Sequence, residues 1–127
     1  MKKITILIVD ADKASAMLLE ELVQMTYKES ADIQILNTSN GKEAINFCNK
    51  YKIELVLTEV HLKDMDGWEL TRKIKGLYPS IPIIIQTAIV MDDTKQMFRK
   101  SGANSFIAKP INIHEMQKNI HSALCSG

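Results

Sequence analysis

The sequence is short of most features that would assign it at once. Its two cysteines, Cys48 and Cys125, lie far apart and belong to no paired motif. That excludes a disulfide framework or a zinc site and leaves two reduced thiols. An excess of charge of either sign is missing too. Sixteen Lys and Arg stand against fifteen Asp and Glu, a net charge of +1, with the basic residues spread along the chain. This gives no electrostatic case for direct contact with nucleic acid or an anionic membrane. No apolar run approaches the ~20 residues that a membrane span needs. The start, "MKKITILIVDADK", is stopped by Asp10 and Asp12, and no small-residue cleavage site follows. A signal peptide is therefore not expected, and the reading is a cytoplasmic protein. Linkers, repeats and low-complexity segments are absent.

An alternation of short aliphatic runs and longer amphipathic runs is present instead. The 127 residues are 46% apolar and 24% charged, enough for one domain spanning 1–127 with its own core. Strands are expected at Ile4–Val9, Ile33–Leu36, Ile53–Thr58, Ile81–Thr87 and Ser105–Ala108. "ITILIV", "IELVL" and "IPIII" are near-continuous aliphatics, which suits strands covered on both faces. "DIQIL" alternates, as an edge strand would.

Start signals place the helices. Asn40 with Glu43, Asp66 with Glu69, and Asn112 with Glu115 each have capping-box spacing. Asp12 caps a helix through Ala14–Tyr27, and Asp92 or Asp93 one through Met97–Lys100. Gly76 and Gly102 stand where helix ends are expected. Trp68, opening the third helix, reads as partly exposed, and methionines such as Met17, Met97 and Met116 as core or partner-facing filler. The fold class is α/β, a single doubly wound parallel sheet of five strands.

In such sheets ligands bind at the carboxyl ends of the strands. There the sequence places Asp10 and Asp12 after the first strand, Glu59 after the third, Thr87 after the fourth and Lys109 after the fifth. Hard oxygens can hold magnesium, and a lysine with a hydroxyl can grip phosphate oxygens. Together they describe a site that handles a phosphoryl group on a carboxylate.

"ILIVDAD", "LVLTEVHLKDMDGWEL", "IIIQTA" and "FIAKP", in this order, resemble the receiver domain of two-component response regulators over the whole chain. The resemblance implies a flavodoxin-like fold with strand order 2-1-3-4-5. It implies a third-strand acid that takes phosphate from a histidine kinase, here Glu59. Asp10, Glu59 and the backbone carbonyl of His61 correspond to the magnesium ligands, Thr87 and Lys109 to the phosphoryl-binding pair, and Phe106 to the aromatic that reports the state outward. A cis Lys109–Pro110 bond is implied by the resemblance alone.

Three departures stand out. Glu59 replaces the family's aspartate, Ala11 its second acid, and Lys63 a common proline. With two carboxylates where three are usual, a magnesium site would be weak. Asp12 reads as the cap of the first helix rather than a substitute acid, the His61 side chain as solvated, and Asp66 as the cap of the third helix. Glu59 is open to three readings: an inert remnant, a phosphoacceptor, or a fixed imitation of the phosphorylated state. Its extra methylene moves the carboxylate by over ~1 Å, and such a misplacement can cost ~10²-fold in rate. The best reading is a signal-transduction module with a degenerate phosphorylation site that acts by protein–protein interaction and is not an enzyme. Its partner would be a histidine kinase or an output protein. The face formed by the fourth helix, fifth strand and fifth helix would carry this, with Lys95, Arg99, Phe106 and Gln117 on it, and can also serve a homodimer. One alternative is a phosphorelay receiver charged on Glu59. Another, from a different class, is a flavodoxin-like nucleotide binder or enzyme. The absence of glycine in "VDADKAS", where a phosphate-cradling turn would lie, weighs against it.

Overall fold

Aliphatic strands without alternation need cover on both faces, and the chain supplies it. The computed structural model describes residues 3–27 and 31–125. In chain order these form β1 (Lys3–Val9), α1 (Lys13–Thr26), β2 (Asp32–Thr38), α2 (Gly41–Lys50), β3 (Leu55–Glu59), α3 (Gly67–Leu77), β4 (Ile83–Thr87), α4 (Thr94–Ser101), β5 (Ser105–Ala108) and α5 (Ile113–Cys125). The strands make one sheet in the order β2-β1-β3-β4-β5, every pairing parallel. This is the expected flavodoxin-like order.

Period-two alternation sorts the strands' side chains into two cores. Ile6, Ile8, Leu55, Leu57, Ile84 and Ile107 pack against α1 and α5 through Leu19, Val23, Met116 and Ile120. Leu7, Val9, Val56, Ile83 and Ile85 pack on the other face against α2 and α3 through Ala44, Cys48, Leu70 and Ile74. β2, at one edge, has the half-exposed pattern expected of an edge strand, and β5, at the other, is also only partly covered. Both cysteines are free, Cys48 buried and Cys125 exposed.

Two strands start later than expected. Ile81 N–H donates to the Tyr78 carbonyl in a turn, and Pro82 has no N–H to offer a ladder, so β4 begins at Ile83. Ile53 is buried without pairing, and β3 runs from Leu55 through Glu59.

Caps form at Asp12, Asn40 and Asp66, whose side chains accept from Ala14, Glu43 and Glu69 N–H respectively. Asn112 accepts from Glu115 N–H at 2.9 Å. Asp93 holds the N-cap position of α4, but its side chain makes no cap bond. The Thr94 hydroxyl does the local work, accepting from Met91 N–H at 2.8 Å. Gly102 closes α4 in the left-handed region at φ 83°. Gly76 does not end α3. It lies inside the last turn, and Tyr78 caps the helix. Trp68 is buried, not partly exposed, because α3 turns it onto Phe106, with ring centroids 6.0 Å apart and planes at 20°.

Candidate functional site

The parallel register decides which rim residues meet. Glu59 pairs with Gln86, and Gln86 with Ile107. Asp10, Glu59, Gln86 and Lys109 each follow by two a residue of the α1/α5 core face (Ile8, Leu57, Ile84 and Ile107). They therefore share that face. Thr87 follows Ile85 and belongs to the opposite face.

Lys109, just past β5, reaches across the β4 position to the tips of β3 and β1. Its ammonium lies 3.0 Å from Glu59 Oε1 and 3.4 Å from Asp10 Oδ2. It also donates to Ser15 Oγ at 2.6 Å. An ammonium has three N–H donors, and three oxygens meet it. The other carboxylate oxygens are taken as well. Asp10 Oδ1 accepts from Asp12 N–H at 2.9 Å, and Glu59 Oε2 from Val60 N–H at 2.6 Å. The side chain of Asp10 is only 1% exposed, against 12% for Glu59 and 17% for Lys109. The cluster is a closed hydrogen-bonded set at the lip of a cleft of about 600 Å³ that Ala11, Ser15, His61 and Ala88 also line. No glycine lines it, which fits poorly with a nucleotide-phosphate cradle.

A divalent ion here would draw on Asp10, Glu59 and the carbonyl of His61. Such an ion would have to compete with Lys109 for its donors. Both carboxylates are already satisfied by Lys109 and backbone N–H groups, and position 11 is alanine. Among the described residues no three acid, histidine or cysteine side chains converge as metal ligands. Asp12 does not fill the gap, since its carboxylate caps α1. The His61 side chain is exposed at the cleft.

The remaining predicted residues lie elsewhere. Thr87 is buried, its Oγ1 accepting from Ile89 N–H at 3.3 Å, and it does not line the cleft. Phe106 is half-buried under the β4–α4 loop, in a shallow pocket with Val90, Met91, Lys95 and Phe98. Lys95 and Arg99 are exposed on α4. Gln117 is not on that face. It lines a groove with Leu18, Leu22, Met25 and Ile113, because burying Met116 and Ile120 turns position 117 toward α1. The Lys109–Pro110 bond is cis.

Three contributors escape sequence reasoning. Ser15 sits in the first turn of α1, aimed at Lys109. Gln86 is a polar break in "IIIQT". Asp64 accepts from Gly41 and Lys42 N–H at 2.7 and 2.9 Å, so the loop after β3 caps α2. Its slight burial pushes the Asp64 carboxyl up, but these N–H bonds and the Lys42 ammonium outweigh that and hold it below the ordinary value of 3.8.

Comparison with known proteins agrees with the fold. A family model, the response regulator receiver domain, matches residues 6–121. The transcriptional regulatory protein ZraR of Klebsiella oxytoca is 30% identical over 123 residues, 97% of this chain and 27% of that protein. The chain thus spans about a quarter of that relative's length. The signal receiver domain of a signal transduction histidine kinase from Syntrophus aciditrophicus superposes with a TM-score of 0.85 at 27% identity, covering 96% of this chain and 90% of that one. The receiver domain of a sensor histidine kinase from Pseudomonas aeruginosa PAO1 shares the fold, with a TM-score of 0.84 at 20% identity over 97% of this chain and 98% of the other. That structure has a magnesium ion coordinated in its active site cleft.

Proposed function

The chain belongs to the response regulator receiver domain family, and from that premise we propose that its phosphorylation site is held shut by its own lysine and that it signals by binding a protein partner. One observation carries this reading. The Lys109 ammonium, which in the family meets an incoming phosphoryl group, is already bound by Glu59, Asp10 and Ser15. Glu59 supplies the anion that a phosphoryl group would otherwise bring, and its longer side chain spans the gap. The domain is a signalling module rather than an enzyme, and it stands in a cytoplasmic two-component pathway.

A partner needs a surface. Ile89, Val90 and Met91 are consecutive apolar residues of the β4–α4 loop, 54%, 57% and 65% exposed. Beside them lie Phe98 and Phe106 in the shallow pocket, rimmed by Lys95, with Arg99 further along α4. Exposed apolar side chains rimmed by charge suit a protein interface. A histidine kinase or an output protein is the partner of choice, with a second copy of this chain as the competing occupant.

The test is incubation with magnesium and acetyl phosphate, followed by intact mass. The protein should remain unmodified. A stable gain of one phosphoryl group, lost in Glu59→Gln, would replace this reading with a phosphorelay receiver charged on glutamate.

A further inference from the structure

Gln86 is fully buried, and neither its Oε1 nor its Nε2 has a hydrogen-bond partner among the described residues. Buried amides are rarely left this way, because desolvating one without a bond is costly. Two of its neighbours on this face are apolar: Ile84 precedes it on β4, and Ile107 is its partner on β5. Leucine or methionine would fill the place without penalty. The amide is therefore a local inconsistency of a kind expected where function intrudes on a core.

The register supplies its use. Gln86 is the partner of Glu59 across β3 and β4, and cross-strand neighbours on one face have Cβ atoms ~5 Å apart. Two side chains of equal length at that separation can hydrogen-bond. Glu59 instead turns toward the rim, to Lys109 and its own neighbour's N–H. Lys109 passes over the β4 position to reach it.

We propose that Gln86 is a second seat for the Glu59 carboxylate: when an anionic group of a partner draws Lys109 away, Glu59 turns inward and accepts from Gln86 Nε2. Glu59 then has two positions that offer its carboxylate a donor, one at the rim and one, through Gln86 Nε2 alone, on the sheet's α1/α5 face. The inner seat lowers the cost of opening the Lys109 cluster and gives the domain a two-state element at the site. Gln86 acts through Glu59 and is a positioning residue. The inference rests on the closed-site reading above.

The test is Gln86→Leu in two backgrounds, read by urea unfolding. In the native protein the change should be neutral or stabilising, since it removes an unsatisfied amide. In Lys109→Met, where Glu59 needs the inner seat, it should destabilise. The two effects should differ by about tenfold or more in the folding constant. Equal effects of the same sign in both backgrounds would overturn the proposal and leave Gln86 as a residue satisfied by internal water. A second reading comes from the Gln86 side-chain amide resonances, recorded in Lys109→Met with an osmolyte present to hold a weakened variant folded. They should move away from their native positions and exchange more slowly. Unmoved resonances, or a Lys109→Met protein that stays unfolded even then, would also overturn it, since no seat would have received Glu59. Phosphodonor plays no part in this experiment, so a glutamyl phosphate found separately would sink the closed-site reading and leave the Gln86 result standing.

Discussion

Removing Lys109 should cost more than removing the charge of Glu59, and the structure says why. Lys109→Met takes their shared cation from two carboxylates, one of them, Asp10, with a side chain only 1% exposed. Breaking a fully buried pair costs ~3–5 kcal/mol. Glu59 and Lys109 are 12% and 17% exposed at the rim, so solvent reduces this to ~2–4 kcal/mol. Glu59→Gln is milder, at ~0.5–1.5 kcal/mol, because Lys109 keeps Asp10 and Ser15 and the new amide oxygen can still accept from Val60 N–H. In the double variant only Asp10 is left without its cation, so the loss should fall short of the sum by ~1 kcal/mol or more. Against a total stability of ~5–15 kcal/mol these are measurable steps. Urea unfolding followed by the fluorescence of Trp68, the single tryptophan, reads all four proteins, since that ring is buried against Phe106. Additivity within ~0.5 kcal/mol, or a Glu59→Gln loss as large as that of Lys109→Met, would refute the reasoning.

Two further outcomes follow from neighbouring geometry. Gly67→Ala should destabilise by ~1–3 kcal/mol in the same unfolding assay, because its Cβ would be driven into the carbonyl oxygen of Glu59 and the backbone there cannot yield cheaply. Asp64→Ala should lower stability at neutral pH by ~0.5–1 kcal/mol through loss of the α2 cap. The Asp64 carboxyl is depressed below 3.8 in the folded protein, so its contribution is present above that pH and lost as pH falls through the folded value. The gap between native and variant should therefore narrow as the pH is lowered, and a gap that stays constant from neutral pH down to the acid limit of folding would contradict the assignment.

The sequence carried the strands because a buried parallel strand has no polar side to hide: "ITILIV" and "IPIII" could only be covered on both faces. The caps were equally local, since Asn40, Asp66 and Asn112 each find their N–H three residues on. The rim residues Asp10, Glu59 and Lys109 were legible because strand ends in this fold share one edge. What escaped depends on contacts distant in sequence. Nothing near Ser15 says that a side chain from position 109 will arrive there, and nothing near Asp64 points to the start of α2. Trp68 is buried with Leu70 and Ile74 on the inner side of α3 and stacks on Phe106 of β5, a contact that lies far off in sequence. Gln86 was visible as a letter, but its register beside Glu59 needed the strand order. Gln117 was misplaced because one turn of α5 serves both the core and the α1 groove, and spacing alone does not say which side each residue takes.

The central claim is that Lys109 and Glu59 close the site without phosphate. Its most direct test compares the native protein with a doubly altered one, Ala11→Asp with Glu59→Asp, which restores the missing acid and shortens the third-strand carboxylate. Both are incubated with magnesium and acetyl phosphate and read by intact mass over time. The account predicts no phosphoryl adduct on the native protein and a time-dependent gain of one phosphoryl group on the altered one. A stable gain of one phosphoryl group on the native protein would contradict it.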